Sequence, residues 1–166
     1  LSKAITNKTK MIVAVDLLGN PNNYDEIKNI IGDKNIILFQ DSCESMGAEF
    51  GGKKVGTQGI MGTFSTFFSH HIATMEGGMV VTDNEELYHI LISLRAHGWT
   101  RGLPENNKIL KLKDPFYEAF NFILPGYNVR PIEMSGAIGL EQLKKLPQFV
   151  KNRRKTLGLL RDLKNV

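Results

Sequence analysis

The first third of the chain alternates between short apolar runs and a helical spacing of apolar residues. The run Met11–Val15 is continuous and rich in β-branched residues, which is typical of a buried strand. Residues 36–39 form a second run of the same kind. Between these runs, four apolar residues fall on one face of a helix: Tyr24, Ile27, Ile30 and Ile31. The pattern predicts a β-α-β unit with parallel strands and a right-handed crossover.

Further strands and helices are predicted in the middle of the chain. Strands are expected at 62–68 and 79–82. Asp83 is a candidate cap for the next helix, with Glu86 as the partner of a capping box. The buried face of that helix would carry four apolar residues: Leu87, Ile90, Leu91 and Leu94. The polar stretch 97–114 then predicts a long loop.

Small residues mark the first of two helices predicted near the end of the chain. A helix is expected at 132–146, with small residues that favour close packing against another element: Ser135, Gly136, Ala137 and Gly139. Pro147 is expected to interrupt this helix, and a basic helix follows from Gln148. The alternation of strands and helices predicts an α/β fold with a mostly parallel sheet flanked by helices.

Composition narrows the class of protein. The 166 residues are 42% hydrophobic and 23% charged, which is enough for a packed core and argues against disorder. The 21 basic and 17 acidic residues give a net charge of +4, which suits either a solvated basic surface or attraction to a phosphorylated ligand. No basic run is interleaved with aromatic residues, so no nucleic-acid partner is expected.

The cysteine count and the lengths of the apolar runs indicate where in the cell the protein is located. Cys43 is the only cysteine, which excludes an internal disulfide and a cysteine-rich metal cluster and suits reducing surroundings. No apolar run approaches the ~20 residues that span a membrane, and the N-terminal segment lacks a signal-peptide core. We therefore expect a cytoplasmic protein with no membrane partner. Because the chain opens directly into a strand and closes inside a helix, we also expect a piece of a larger protein.

Two polar residues lie where the predicted strands end, which is where open α/β sheets bind ligands. Asp41 comes directly after the strand 36–40. It is either the cap of a helix at 42–46 or an anion that pairs with a protonated ring nitrogen. Ser65 lies in the strand predicted at 62–68 and is either structural or a phosphate ligand. The residues alone leave both alternatives open.

A histidine pair and an arginine are further candidates. His70 and His71 are adjacent, a spacing that does not suit a zinc site on a helix. They are either packed or surface histidines, or groups that move protons beside a cofactor. Gly77 and Gly78 mark either a plain turn or a place that needs unusual backbone angles or a close approach. Arg130 follows turn residues and is either a surface side chain or a phosphate ligand.

Taken in order, several segments form a specific set of motifs. They are DSCESMGA at 41–48, GKKVG at 52–56, Phe64-Ser65, the EGG of 76–78 and the GYN of 126–128. This set resembles the nucleotide-sugar aminotransferase and dehydratase family, vitamin-B6 enzymes with the aspartate-aminotransferase-like fold. The resemblance covers about 11–154. It implies that 1–166 is the central part of the large domain of a fold type I pyridoxal-phosphate-dependent enzyme, without the N-terminal and C-terminal parts of the usual chain.

The resemblance implies roles for individual residues. Asp41 is implied to hold the pyridine nitrogen of the cofactor, and Ser65 to contact its phosphate. Asn128 is implied to reach the cofactor phosphate of the neighbouring subunit, so that a homodimer shares its active sites. Glu44 stands where aminotransferases usually have glutamine, close to the phenolic oxygen of the cofactor. His71 and Arg130 are further candidates for contacts with substrate or phosphate.

One departure from the aminotransferase pattern indicates a branch of the family. Aminotransferases place their Schiff-base lysine six residues before the glutamate of the Glu-Gly-Gly motif, where this chain has His70. No lysine lies between Lys54 and Lys108, so a shift in register supplies none. Imidazole transfers protons but does not tether the cofactor. The pattern resembles the sugar 3-dehydratases. A related branch carries an iron–sulfur cluster on extra cysteines, which the loop after Trp99 lacks, so no cluster is expected.

The resemblance also implies an activity and its partners. A 3-dehydratase of this branch uses pyridoxal or pyridoxamine 5′-phosphate and removes the C3 hydroxyl of a nucleotide-linked 4-keto-6-deoxysugar, in the synthesis of dideoxysugars for lipopolysaccharide O-antigens. His70 would remove a proton from the C4′ carbon of the cofactor while Asp41 keeps the ring nitrogen charged. Glutamate would be the amino donor. The alternatives are a nucleotide-sugar aminotransferase that tolerates histidine, and an inactive truncated cofactor-binding module.

Overall fold

The computed structural model describes residues 1–107, 109 and 112–163, so three residues of the predicted loop 97–114 lie outside the described residues. Within these ranges it contains six strands: β1 (Met11–Val15), β2 (Ile37–Asp41), β3 (Glu49–Phe50), β4 (Lys53–Lys54), β5 (Met61–Ser65) and β6 (Gly78–Val81). The same ranges contain four α-helices: α1 (Tyr24–Ile31), α2 (Glu85–Leu94), α3 (Pro115–Glu118) and α4 (Glu133–Leu163).

Four strands form one mostly parallel sheet in the order β1-β2-β5-β6. Strands β1, β2 and β5 are parallel, whereas β6 runs antiparallel to β5. Helix α1 connects β1 to β2, so the predicted β-α-β unit is confirmed. The register pairs Val15 with Asp41 and Asp41 with Thr63, so the three parallel strands end close together. Strand β5 ends at Ser65, earlier than predicted, because the chain turns away after Thr66.

The sheet buries only one of its two faces among the described residues. In β1, Ile12 and Ala14 lie in the core, while Met11, Val13 and Val15 are about half exposed. The core is completed by residues of α1, β2 and the segment after β4: Tyr24, Ile27, Leu38 and Val55. The prediction of a fully buried strand is therefore wrong for the described chain. The continuous apolar run reflects a second face that is also apolar but that the described residues leave uncovered.

Asparagine side chains cap the first two helices. Asn23 accepts a hydrogen bond of 3.1 Å from the third backbone N–H of α1, and Asn84 accepts one of 3.0 Å from the third backbone N–H of α2. The prediction that Asp83 caps α2 with Glu86 is wrong by one residue, because the side chain at position 84 is the one that reaches this N–H.

Helix α4 continues through Pro147, so the predicted interruption is wrong. Proline removes one backbone hydrogen bond, to the carbonyl of Leu143. Pro147 and Leu143 both lie on the exposed side of the helix, where water can bind that carbonyl. The other side packs closely on the sheet unit. Ser135 donates a hydrogen bond of 3.4 Å to the carbonyl of Thr74, and a Cβ atom at Gly139 would lie 3.2 Å from the Thr74 methyl group. The close packing predicted from small residues is therefore confirmed at these two positions.

The chain divides into two compact units. One comprises Leu1–Val81 together with α4, and the other is Thr82–Ile132. In the second unit, Trp99 stacks on Phe122 with ring centroids 5.5 Å apart, and the Arg101 guanidinium lies 5.1 Å from the Trp99 ring. The four apolar residues of α2 that were predicted to be buried are only half buried, and its buried residues are His89 and Ser93. Across the described part of the chain, no helix combines the length and the apolar character needed to cross a membrane.

Candidate functional site

Three polar residues lie at the carboxyl ends of neighbouring parallel strands. Asp16 follows β1, Asp41 is the last residue of β2, and Ser65 is the last residue of β5. In open α/β sheets, ligands bind beyond these strand ends. The structure therefore places two of the predicted cofactor ligands, Asp41 and Ser65, at the expected edge, together with an aspartate that the sequence analysis did not single out.

Asp41 is half buried and makes few side-chain contacts. Its Oδ1 atom accepts a hydrogen bond of 3.2 Å from the backbone N–H of Cys43, and the Thr63 hydroxyl lies 3.5 Å from the same oxygen. No described residue donates a hydrogen bond of good geometry to its Oδ2 atom. The carboxylate also lies close to the Cys43 thiol, whose pKa is raised first by burial and then by Asp41. The segment 42–46 forms turns rather than a helix, so the alternative that Asp41 is a helix cap is wrong. The carboxylate retains one oxygen for a ligand.

Asp16, in contrast, is completely buried and fully paired. Its Oδ1 atom accepts hydrogen bonds of 2.5 Å from the Tyr24 hydroxyl, 3.0 Å from the Asn22 backbone N–H and 3.1 Å from the Asn22 amide. Its Oδ2 atom accepts one of 2.7 Å from the Ser42 hydroxyl. The hydroxyl of Ser45 donates to the Asp16 carbonyl at 2.6 Å. We call these five residues the Asp16 network. Burial and the bond to Asp16 raise the pKa of Tyr24 far above its usual value.

The Asp16 network holds a tight turn beside the strand ends. Leu17–Gly19 forms one turn of 3₁₀ helix in which Leu18 has a left-handed backbone, with φ of 53°. The backbone N–H of Leu18 donates to Glu44 Oε2 at 2.9 Å, and that of Gly19 donates to the Ser45 hydroxyl at 3.0 Å. Glu44 therefore fixes this turn through one of its carboxylate oxygens.

The predicted histidines lie in the connection between β5 and β6, residues 66–77, which we call the histidine loop. Its base is closed by the hydroxyls of Thr66 and Thr74, which are buried and 2.7 Å apart. Gly77 has φ of 146°, and a Cβ atom there would lie 2.7 Å from the Thr66 hydroxyl oxygen. Of the alternatives for the Gly77-Gly78 pair, the unusual backbone angle and the close approach are therefore confirmed at Gly77.

His70 and His71 are both half buried in this loop. The His71 Nδ1 atom is buried and has no hydrogen-bond partner among the described residues. Burial, and then the nearby charges of Arg153 and His70, lower the pKa of His71 to about 4. His71 is therefore neutral near pH 7 and presents an unpaired ring nitrogen.

A cavity of about 840 Å³ brings three predicted site residues together: His70, His71 and Glu44. Arg153 and Arg154 of α4 also line it, and the described residues provide no ion pair for either guanidinium. A smaller cavity of about 370 Å³ is lined by both histidines and Arg153. Asp41 and Ser65 line neither cavity and lie at the strand ends instead.

Asn128 and Arg130 belong to the second compact unit and are both exposed. Asn128 forms an isolated β-bridge with Ala96, and the Arg130 Nε atom donates a hydrogen bond of 3.4 Å to the Asn128 side chain. The two side chains therefore lie together on the surface of their unit, and their predicted roles toward a cofactor or substrate phosphate stay predictions.

Two functional candidates were missed by reasoning from the sequence. Asp16 is an acid directly after a strand, so the rule that selected Asp41 could have selected it as well. Arg153 had no such signal, because only the path of α4 brings it beside the histidines.

A comparison with known protein families tests the family membership that the motifs indicated. The sequence model of the DegT/DnrJ/EryC1/StrS aminotransferase family matches residues 1–165. The chain belongs to this family. Among curated members, a GDP-4-keto-6-deoxy-D-mannose 3-dehydratase of Escherichia coli O55:H7 is 66% identical over 164 residues, which are 98% of this chain and 42% of that protein. The chain thus spans less than half the length of this family member.

Solved structures of the family match the fold. One is a crystal structure of a GDP-4-keto-6-deoxymannose-3-dehydratase mutant, with histidine replaced by asparagine, that contains GDP-perosamine. It has a TM-score of 0.87 and 64% identity, over 93% of this chain and 40% of that one. Another contains a trapped PLP–glutamate geminal diamine and matches with a TM-score of 0.88 and 64% identity, over 93% and 40% of the two chains. The predicted fold type I architecture, an α/β fold with a mostly parallel sheet, is confirmed.

Proposed function

We propose that this chain is part of a 3-dehydratase that depends on pyridoxal or pyridoxamine 5′-phosphate and acts on a nucleotide-linked 4-keto-6-deoxysugar. The observation that carries the proposal is His70, which lines the cavity at the position where aminotransferases of the family keep their lysine. Residues 55–107 contain no lysine. The 66% identity to a GDP-4-keto-6-deoxy-D-mannose 3-dehydratase supports the same reading and favours a GDP-linked sugar.

The residues present suit a pyridoxal-type cofactor. Asp41 offers a ring nitrogen a carboxylate oxygen that accepts no hydrogen bond of good geometry from the described residues, and Ser65 offers a hydroxyl for a phosphate. Glu44 keeps one carboxylate oxygen beyond its bond to Leu18 and would lie near the phenolic oxygen. When bound, the cofactor supplies a protonated pyridine ring that acts as an electron sink. Asp41 would keep that ring nitrogen protonated by pairing with its charge.

His70 would act as the proton-transfer group. Histidine is the side chain that most often takes and returns a proton in general acid–base catalysis. His70 would remove a proton at the C4′ carbon of the cofactor. His71 stays neutral beside it, so the pair does not carry two adjacent positive charges. His71 and Arg130 are the proposed contacts to substrate or phosphate.

The proposed partners follow from family members. A GDP-sugar is bound in one solved relative and a glutamate adduct in another, so we propose a nucleotide-diphosphate sugar as substrate and glutamate as amino donor. We further propose a cytoplasmic homodimer in which Asn128 reaches the cofactor phosphate of the neighbouring subunit.

Product analysis of the complete protein tests the proposed function. The protein would be incubated with pyridoxal phosphate, glutamate and a GDP-4-keto-6-deoxysugar, and the sugar examined by mass spectrometry. Loss of the C3 oxygen is expected. A product that keeps this oxygen and gains an amino group would contradict the dehydratase and identify an aminotransferase. An unchanged sugar with bound cofactor would contradict both.

The His70→Asn variant tests the role of the histidine. General acid–base groups commonly contribute about 10²–10⁴-fold, so the dehydration rate should fall by that factor. The variant keeps Asp41 and Ser65, and a titration followed by absorbance should therefore show unchanged cofactor binding. An unchanged dehydration rate would remove His70 from the proton-transfer role.

A further inference from the structure

The Asp16 network has no role in the function proposed above. Asp16 is 0% exposed, so its carboxylate contacts neither solvent nor the cavity. A buried carboxylate is retained only where hydrogen bonds compensate for its lost hydration. Here four hydrogen bonds of 2.5–3.1 Å to its two carboxylate oxygens do so.

The network is joined directly to Asp41. The Asp16 backbone N–H donates to the Asp41 carbonyl at 2.9 Å, and the Ser42 hydroxyl donates to Asp16 Oδ2 at 2.7 Å. Ser42 is the next residue after Asp41, and its own N–H donates to the Thr63 carbonyl at 3.0 Å. All three bonds hold the backbone directly after the Asp41 Cα atom, at the Asp41 carbonyl and at Ser42.

The Asp41 side chain needs such support because its own contacts are weak. Its two hydrogen-bond partners lie at 3.2 and 3.5 Å, at or beyond the long end of good geometry. The direction of this carboxylate is therefore set by its backbone more than by its side-chain partners. A functional group must be held within about 0.5 Å of its productive position.

We propose that Asp16 is a positioning residue that, through Ser42, aims the Asp41 carboxylate at the cofactor's ring nitrogen. This rests on the proposed function, in which Asp41 pairs with that nitrogen. Asp16 itself touches neither cofactor nor substrate. Its effect is on how strongly Asp41 keeps the ring protonated.

A matched pair of variants separates positioning from stability. Ser42→Ala and Tyr24→Phe each delete one hydroxyl that donates to the Asp16 carboxylate. Only Ser42 adjoins Asp41, whereas Tyr24 lies on α1. The complete protein would be loaded with pyridoxamine phosphate carrying ¹⁵N in its ring, and the nitrogen signal followed against pH.

In the unaltered protein and in Tyr24→Phe, the ring nitrogen should stay protonated to the same pH. In Ser42→Ala it should lose its proton at lower pH. Residues that orient the ligands of a metal ion typically contribute about 10–100-fold. By analogy, we expect cofactor affinity to fall by about 10–100-fold in Ser42→Ala. The KM for the sugar should stay unchanged in both variants, because neither residue lines the cavity.

If the ring nitrogen loses its proton at the same pH in both variants as in the unaltered protein, the positioning role is overturned. A shift in Tyr24→Phe as large as that in Ser42→Ala would also overturn it, because the network would then act only through general stability. The nitrogen titration does not depend on which product the protein makes. If the protein aminates its sugar, the proposed dehydratase function is wrong, but the titration still tests the role of Asp16. If the unaltered protein binds no cofactor, both proposals fail.

Discussion

The Asp16 network and the histidine loop lie in the same compact unit and are built in opposite ways. In the network, every oxygen of a buried carboxylate is paired, and the bonds join two strand ends. In the loop, the base is closed by a hydroxyl pair, but a buried ring nitrogen of His71 has no partner among the described residues. Unpaired polar atoms are costly in a folded chain. This difference supports the proposal that the Asp16 network holds the strand ends in place and that the histidine loop contacts the ligand.

The largest effect is expected from Asp16→Ala. It leaves the buried hydroxyls of Tyr24 and Ser42 without an acceptor, and each unpaired donor costs about 1–3 kcal/mol. The free energy of unfolding of the complete protein should fall by roughly 2–6 kcal/mol, measured by urea denaturation. Asp25→Ala is the control on the exposed start of α1, where the loss should stay within about 1 kcal/mol. An equal loss of unfolding free energy in Asp16→Ala and Asp25→Ala would contradict the idea that the Asp16 network is a tightly paired region.

Gly77→Ala should come next and tests the base of the histidine loop. The new Cβ atom would lie 2.7 Å from the Thr66 hydroxyl oxygen, on a backbone with φ of 146° that side chains rarely adopt. We expect a loss of about 3 kcal/mol in thermal or urea unfolding. Gly51→Ala shares a positive φ but has open space around the added atom, so it should lose only about 1–2 kcal/mol. A smaller loss of unfolding free energy in Gly77→Ala than in Gly51→Ala would show that the Thr66 and Thr74 side chains move to make room for the added Cβ atom.

A pH-dependent effect is expected from His71. Its pKa is about 4 when folded and close to 6.5 when exposed, so the unfolded chain binds more protons between these values. The contribution of His71 to stability is therefore complete above about pH 6.5 and is lost as the pH falls toward 4. His71→Gln should flatten the fall in unfolding free energy over this window. An identical pH profile in the variant and the unaltered protein would mean that folding does not lower the pKa of His71.

The smallest effect is expected in the turn that the network holds. Leu18 is 83% exposed and has φ of 53°, so its side chain gains little from burial and strains the backbone. Leu18→Gly should relieve about 1–2 kcal/mol of strain and lose about 0.5–1 kcal/mol of chain entropy, a net gain below about 1 kcal/mol. Leu17→Gly is the control and should be destabilising, because Leu17 has no left-handed strain to relieve. If Leu18→Gly and Leu17→Gly both stabilise or both destabilise the protein, backbone strain at Leu18 does not explain the effect.

The sequence was sufficient for the first β-α-β unit and the mostly parallel sheet, but not for the burial of that sheet. Apolar spacing places α1 between two strands correctly, because that spacing is a property of the chain itself. Whether Val13 is buried depends on what covers the far face of the sheet, and the described residues do not cover it. Pro147 shows the same dependence. An exposed helix side tolerates the lost hydrogen bond, and exposure is not visible in the residue types.

The candidate site divides in a similar way. The order of motifs identifies both Asp41 and His70. Asp41 matches the aspartate of the family, and His70 departs from its lysine at a defined spacing. Arg153 reaches the histidines only through the packing of a long helix, which no local pattern encodes. The Asp16 network depends on the register of β1 with β2, which places Asp16 beside Ser42. Register is a tertiary property, so single-sequence reasoning does not assign these partners.

The antiparallel pairing of β5 and β6 affects the order in which the unit folds. The connection 66–77 between them is shorter than 42–60, which joins β2 to β5, and shorter than 16–36, which joins β1 to β2. The entropy lost on closing a loop grows with its length, and local contacts form faster than distant ones. We therefore expect the hairpin that carries both histidines to close at the lowest entropic cost in the sheet, before the parallel strands pair.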